Sequence, residues 1–92
     1  PPIMSYFVYI LITSSKNRYI SYVGYTSDIE KRINAHNSSK GAKFTKGRKW
    51  TLVFKKRFKT KSEAMKAEIK IKKDRIFRNQ IKNKFIKNVN KL

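Results

Sequence analysis

Tyr6-Phe-Val-Tyr-Ile-Leu-Ile12 is the stretch on which the fold turns, together with Tyr22-Val-Gly24 a short way downstream. The first is β-branched and aromatic throughout and reads as a strand buried on both faces. The second lies in another strand, spanning residues 19–25. Polar Thr13-Ser-Ser-Lys-Asn-Arg18 separates the two, which predicts a hairpin with a loop of about six residues. Gly24, near the end of its strand, predicts either a positive φ or a close approach by another group.

The remaining elements follow outward from this hairpin. Ser27-Asp-Ile-Glu30 fits a capping box and opens a helix that ends near Asn37. A basic loop with two glycines covers residues 38–49. Trp50 to Phe54, extending towards Phe58, reads as a third strand. Ser62, with Glu63 in the first turn, starts a second helix running to Lys73. A third helix sets Phe77, Ile81, Phe85 and Val89 four apart on one face. The order ββαβαα predicts an α+β fold, a small three-stranded, mostly antiparallel sheet flanked by helices. We read residues 4–92 as a single domain, with 75–92 its basic C-terminal helix and Pro1-Pro2-Ile3 a remnant ahead of Met4.

Composition narrows the function. The 92 residues carry 24 Lys plus Arg against 5 Asp plus Glu, a net charge of +19, while 39% are hydrophobic. That is apolar enough for one small core and basic enough to attract a polyanion, nucleic acid first and an anionic membrane second. Residues 55–92 hold 15 of the basic groups and 3 of the acids, so the C-terminal part is the stronger candidate for phosphate contact. Cysteine is absent and histidine occurs once, as His36, which excludes disulfides, a thiolate nucleophile and Cys- or His-rich metal sites. The longest apolar run is far short of the ~20 residues of a spanning helix. A cytoplasmic, nucleoid-associated monomer is the expectation.

Five residues form a candidate site. On the second helix, positions 64, 65, 68, 71 and 72 share a face, which places Glu68 within an apolar stripe. A carboxylate there needs an ion-pair partner or a divalent cation. On the first helix Ile29, Arg32, Ile33 and His36 share a face. Arg32 then either pairs with Glu68 or, with His36, clamps a phosphate. Tyr9 and Tyr22 lie on strands that the hairpin sets side by side. Each serves packing alone, or both offer phenol oxygens to a phosphate or an attacking water.

Val8-Tyr9-Ile10 and Tyr22-Val23-Gly24 resemble the two-part signature of the GIY-YIG endonuclease domain. Asp28-x-x-x-Arg32-x-x-x-His36-Asn37, Gly41-Ala-Lys-Phe-Thr-Lys-Gly-Arg48, Trp50-x-Leu52-Val53 and Ser62-Glu-Ala64-x-x-x-Glu68-x-Lys70 are similar to the small stand-alone bacterial members. The likeness covers residues 5–75. The leading Gly-Ile of the first signature is replaced here, with the tyrosine kept. Asn79 and Asn83 are both candidates for the asparagine that some members use near the C-terminus.

The resemblance implies hydrolysis of a DNA phosphodiester with one divalent metal, Mg²⁺ or Mn²⁺, held by Glu68. Tyr9 would be the general base or orient the water, its phenol pKa lowered by neighbouring positive charge, with His36 or a lysine assisting. Arg32 would bind the non-bridging oxygens, and Tyr22 would anchor the scissile phosphate. Lys40, Lys43, Lys46, Arg48 and Lys49 in the loop, and Lys70, Lys72, Lys73, Arg75 and Arg78 beyond it, would supply affinity for duplex or branched DNA without reading its sequence. The expected activity is of low sequence specificity or selective for DNA structure, as in repair or recombination, with a protein partner as a further source of specificity. The rival readings are an inactive DNA- or RNA-binding module on the same fold and a membrane-active cationic helix, the latter opposed by the strand-rich N-terminal half.

Overall fold

A computed structural model of the chain describes residues 5–38 and 47–90. Its element order is β1 (Tyr6–Ser15), β2 (Arg18–Thr26), α1 (Ile29–Asn37), β3 (Thr51–Phe58), α2 (Lys61–Lys73) and α3 (Arg75–Val89), which is the ββαβαα order of an α+β fold. The three strands form an antiparallel sheet in the order β2-β1-β3.

β1 is the central strand, and its hydrophobic run explains why. Val8, Tyr9, Ile10, Leu11 and Ile12 are all buried to within 1%. Alternate residues of a strand point to opposite faces, so the two faces can be followed separately. Val8 and Ile10 pack with Val23, Ala64 and the rims of β3, α2 and α3, including Phe54, Phe58, Ile71, Phe77 and Ile81. Tyr9 and Leu11 pack on the other face with Trp50, Tyr22 and Leu52, beneath Ile29 and Ile33 of α1.

The hairpin is tighter than its composition predicts. Instead of a six-residue loop, β1 and β2 pair as far as Ser15–Arg18 across the two-residue turn Lys16-Asn17. Both turn residues have positive φ (49° and 66°), the geometry that matches the twist of the flanking strands. Thr13, polar and turn-like in isolation, is instead 5% exposed and donates its hydroxyl to the Lys49 carbonyl at 2.6 Å.

Both predicted caps also move. α1 is capped by Asp28, whose side chain accepts from the Lys31 amide at 3.1 Å, and Ser27 lies outside the helix. α2 is capped by Thr60 in a reciprocal box with Glu63, so the helix begins before Ser62. Asp74 ends α2 and caps α3, accepting from the Phe77 amide. β3 carries a bulge: Ile10 pairs with Phe54 and Leu11 with Leu52, which leaves Val53 as the extra residue.

The buried face of α2 is Ala64, Ala67 and Ile71, spaced i, i+3, i+7. Met65, expected on that face, is 41% exposed. Glu68, four residues after Ala64 and three before Ile71, stays on that face, with its side chain 16% exposed.

Candidate active site

The site begins with the pairing of β1 and β2. Register sets Tyr9 opposite Gly24, and Leu11 opposite Tyr22. A Cβ on Gly24 would stand 2.5 Å from the Tyr9 hydroxyl oxygen and 2.7 Å from its Cζ. Glycine is required here because the Tyr9 ring lies across β2, and no side chain fits beneath it. Of the two expectations for Gly24, close approach holds; among the described glycines only Gly47 has positive φ.

That position aims the Tyr9 hydroxyl at α1. Its oxygen lies 2.9 Å from Nε2 of His36, which is fully buried. Arg32 stands one turn before His36 on α1, close enough for its positive charge to oppose the rise in the Tyr9 pKa. Tyr22 completes the cluster: its ring centroid is 5.0 Å from that of His36, edge-on, and 6.4 Å from that of Tyr9. Tyr9, Tyr22, Arg32 and His36, predicted from three separate stretches, thus meet in one place.

Electrostatics assigns their resting states. Burial pushes the Tyr9 phenol up to about 12, and the opposing pull of Arg32 does not overcome it. This reverses the expected direction, since desolvation of the charged form outweighs a single nearby cation. Burial, reinforced by the charge of Arg32, holds His36 below its ordinary value. The two phenols raise the Arg32 pKa, Tyr9 most strongly. At neutral pH the cluster is a protonated phenol, a neutral imidazole and a guanidinium.

Glu68 stands apart from this cluster but within its field: its charge is one of the causes that raise the Tyr9 pKa. Its side chain is 16% exposed, and Oε1 lies 3.4 Å from Lys72 Nζ one turn away. That is the ion pair found among the described residues, so Glu68 pairs with Lys72 and not with Arg32. Among the described residues no three His, Cys, Asp or Glu side chains converge into a protein-built metal cage. A single carboxylate fits a hard cation only where water and a substrate phosphate fill the remaining positions, which is how Mg²⁺ is commonly held.

Two motif positions, Trp50 and Asn37, gain a supporting role that the sequence does not assign them. Trp50, 4% exposed, sets its ring edge-on to Tyr22 at 6.2 Å and walls the cluster. Asn37 pins it there: its Oδ1 accepts from the Trp50 amide at 2.6 Å, and its Nδ2 donates to the Trp50 carbonyl at 3.2 Å. The adjacency of Asn37 to His36 was the available signal, though only the fold shows what it holds.

The expected DNA-contact residues divide by location. Lys40, Lys43 and Lys46 lie outside the described residues. Arg48 is half-buried and Lys49 exposed at the entry to β3. Lys72 is engaged with Glu68. Lys70 lines a cleft with Lys56, Phe58 and Phe77, on the sheet face away from Tyr9. Lys73 and Arg75 are exposed about the α2–α3 junction. Arg78 is half-buried, and its Nε donates to the Ile71 carbonyl at 3.2 Å, closing the end of α2. Among the described residues no helix is long and apolar enough to cross a membrane.

The chain is similar to proteins of one family. The GIY-YIG catalytic domain matches residues 5–84. A UPF0213 protein of Staphylococcus saprophyticus is 51% identical over 65 residues, covering 70% of this chain and 78% of its own. A UPF0213 protein of Bacillus velezensis is 42% identical over 69 residues, covering 74% and 67% respectively. The solution NMR structure of a UPF0213 protein from Bacillus halodurans is 38% identical and spans 87% of this chain and 84% of that one, with a TM-score of 0.47. By the match over residues 5–84, which spans most of its length, the chain belongs to the GIY-YIG family, a family of nuclease catalytic domains.

Proposed function

We propose that the protein is a divalent-metal-dependent DNA endonuclease that cleaves with little sequence preference or by DNA structure. The observation that carries this reading is the Tyr9 hydroxyl, seated over Gly24 and hydrogen-bonded to the buried His36 at 2.9 Å. Packing alone does not require a glycine beneath a phenol or a histidine buried against it.

With Nδ1 of His36 carrying the imidazole proton, the Tyr9 hydroxyl donates to Nε2. As the Tyr9 oxygen takes a proton from the attacking water, it passes its own to Nε2, and no free phenolate is formed. The high pKa of Tyr9 is compatible with this relay, because the proton ends on the imidazole. The charge of Arg32 opposes imidazolium in the free protein and is offset once a phosphate lies against the guanidinium. Arg32 binds the non-bridging oxygens with its planar fork, and Tyr22 donates to the scissile phosphate. The water oxygen bonds to phosphorus, the bond to the leaving oxygen breaks, and that oxygen takes a proton from solvent.

Nucleases of this family generally use a divalent metal, and Glu68 is the residue we assign to hold it. Such a cation polarises a phosphate and stabilises a leaving oxygen when bound.

The test is cleavage of labelled duplex and branched DNA by wild type and Glu68→Ala, each with Mg²⁺, Mn²⁺ or EDTA. Metal-dependent cutting by wild type alone is the expected result, with DNA binding retained or strengthened in the variant. Equal cutting by Glu68→Ala would overturn the role of Glu68. Binding by both proteins with cutting by neither would favour an inactive nucleic-acid-binding module.

A further inference from the structure

β3 brings a second set of groups to the site that the sequence did not single out. Directly opposed residues of neighbouring strands project to the same face of a sheet. Tyr9 is opposite Gly24 on one side and Lys55 on the other; Phe7 is opposite Thr26 and Arg57. The face bearing Tyr9 therefore carries two parallel rows, Gly24–Tyr9–Lys55 and Thr26–Phe7–Arg57. β3 is an edge strand, and Lys55 and Arg57 are both exposed. Among the described residues neither forms an ion pair. Arg57 is oriented by donating its Nε to Ser5 Oγ at 2.8 Å, which leaves its terminal nitrogens outside that bond. The cleft in front of Arg32 is lined by Thr26 and Lys31 among others, and so runs into the second row.

We infer that Lys55 and Arg57 form a phosphate rail that holds the DNA strand on one side of the scissile phosphate. Residues two apart on a strand repeat at ~6.8 Å, close to the separation of successive phosphates along a nucleic-acid strand. Lys55 lies within ~5 Å of Tyr9, backbone to backbone. The two side chains are positioning residues: they set where the strand lies relative to Tyr9 and take no part in proton transfer. Lysines on an edge strand also discourage edge-to-edge pairing of sheets, but that role is indifferent to the face they occupy. Lys56, between them, points to the opposite face and lies over the Phe58 ring at 5.5 Å, which makes it an internal control.

The inference rests on the proposed DNA substrate but not on cleavage, so it is tested by binding in EDTA. Wild type, the double variant Lys55→Gln/Arg57→Gln and the single variant Lys56→Gln would be titrated against a fluorescent duplex oligonucleotide across a salt series. The double variant should bind roughly tenfold more weakly, and its salt slope should fall by about 1.8, two contacts' worth of released counterions. Lys56→Gln should change neither. Equal losses in the two variants would show diffuse attraction and overturn the rail, as would an unchanged double variant. Failure of wild type to bind DNA would overturn both the rail and the DNA-cleaving function. The predicted pattern without cleavage in metal would keep the rail and remove the endonuclease. Melting curves on all three proteins check the fold, and under turnover the double variant should raise KM with kcat nearly unchanged.

Discussion

The two faces of the sheet share one central strand and differ in what that strand presents. Towards α2 and α3 it offers Val8 and Ile10, which meet Val23, Ala64 and a rim of aliphatic and aromatic side chains. Towards α1 it offers Tyr9 and Leu11, and there the partners include Tyr22, Trp50 and a fully buried histidine. The first face buries apolar surface worth ~1.5–3 kcal/mol per large side chain and asks for no hydrogen bonds. The second buries polar atoms that must be satisfied, at a cost of about 1–3 kcal/mol for each one left unpaired. A fold built from about 90 residues has little stability to spare. Placing a Tyr–His pair in half of its core is understandable only if that half has another task.

This division can be broken from either side. The largest effect on stability is expected on the apolar face. Ile10→Ala should cost about 2–5 kcal/mol by leaving a cavity beside α2, as read by chemical denaturation. Cleavage per folded molecule should be unchanged; a large loss there would mean that the faces are not independent.

Gly24→Ala sharpens the comparison from the other side. Its new methyl meets the Tyr9 ring at 2.5–2.7 Å, and a buried ring has little freedom to yield. A destabilisation of about 1–3 kcal/mol is expected, accompanied by a rate loss out of proportion to it, since the ring must leave His36. Restored cleavage at full rate would show that the phenol need not lie over β2.

The smallest effect is on pH dependence. The Tyr9 pKa is raised from 10.0 to about 12 in the folded chain, so between those values the unfolded state binds fewer protons and stability falls as pH rises. The contribution of Tyr9 is present below about pH 10 and lost by about pH 12. His36 has the opposite sense: its pKa is lowered on folding, so stability falls as pH drops below its unfolded value of 6.5. Denaturation of wild type and Tyr9→Phe across the alkaline range should differ in slope. Parallel curves would place the phenol in a wetter setting than the fold indicates.

Much of this is legible in the sequence. A seven-residue run without a helical pattern of polar positions identified the central strand, and i, i+4 spacing put Arg32 and His36 on one face of α1. What escaped the sequence was set by competition between neighbours. Ser27 and Asp28 are both good caps, as are Thr60 and Ser62, and tertiary packing chose Asp28 and Thr60. Thr13 looks like turn material until the Lys49 carbonyl supplies its partner. On α2, Ala64 and Ile71 meet the sheet as the spacing predicts, and Ala67 takes the place expected of Met65. The direction of the Tyr9 shift depends on burial, which sequence does not give, and Lys55 gains meaning only from the register that sets it beside Tyr9.

Burial of Tyr9 serves chemistry rather than stability, and Tyr9→Phe separates the two. The substitution keeps the ring over Gly24 and removes one oxygen. Cleavage rate in Mg²⁺ and unfolding free energy should be measured on the same preparations. The expected rate is lower by about 10²- to 10⁴-fold, with stability changed by only ~1 kcal/mol for the lost hydrogen bond. A variant that cuts as fast as wild type would contradict it and return Tyr9 to the core as a packing residue.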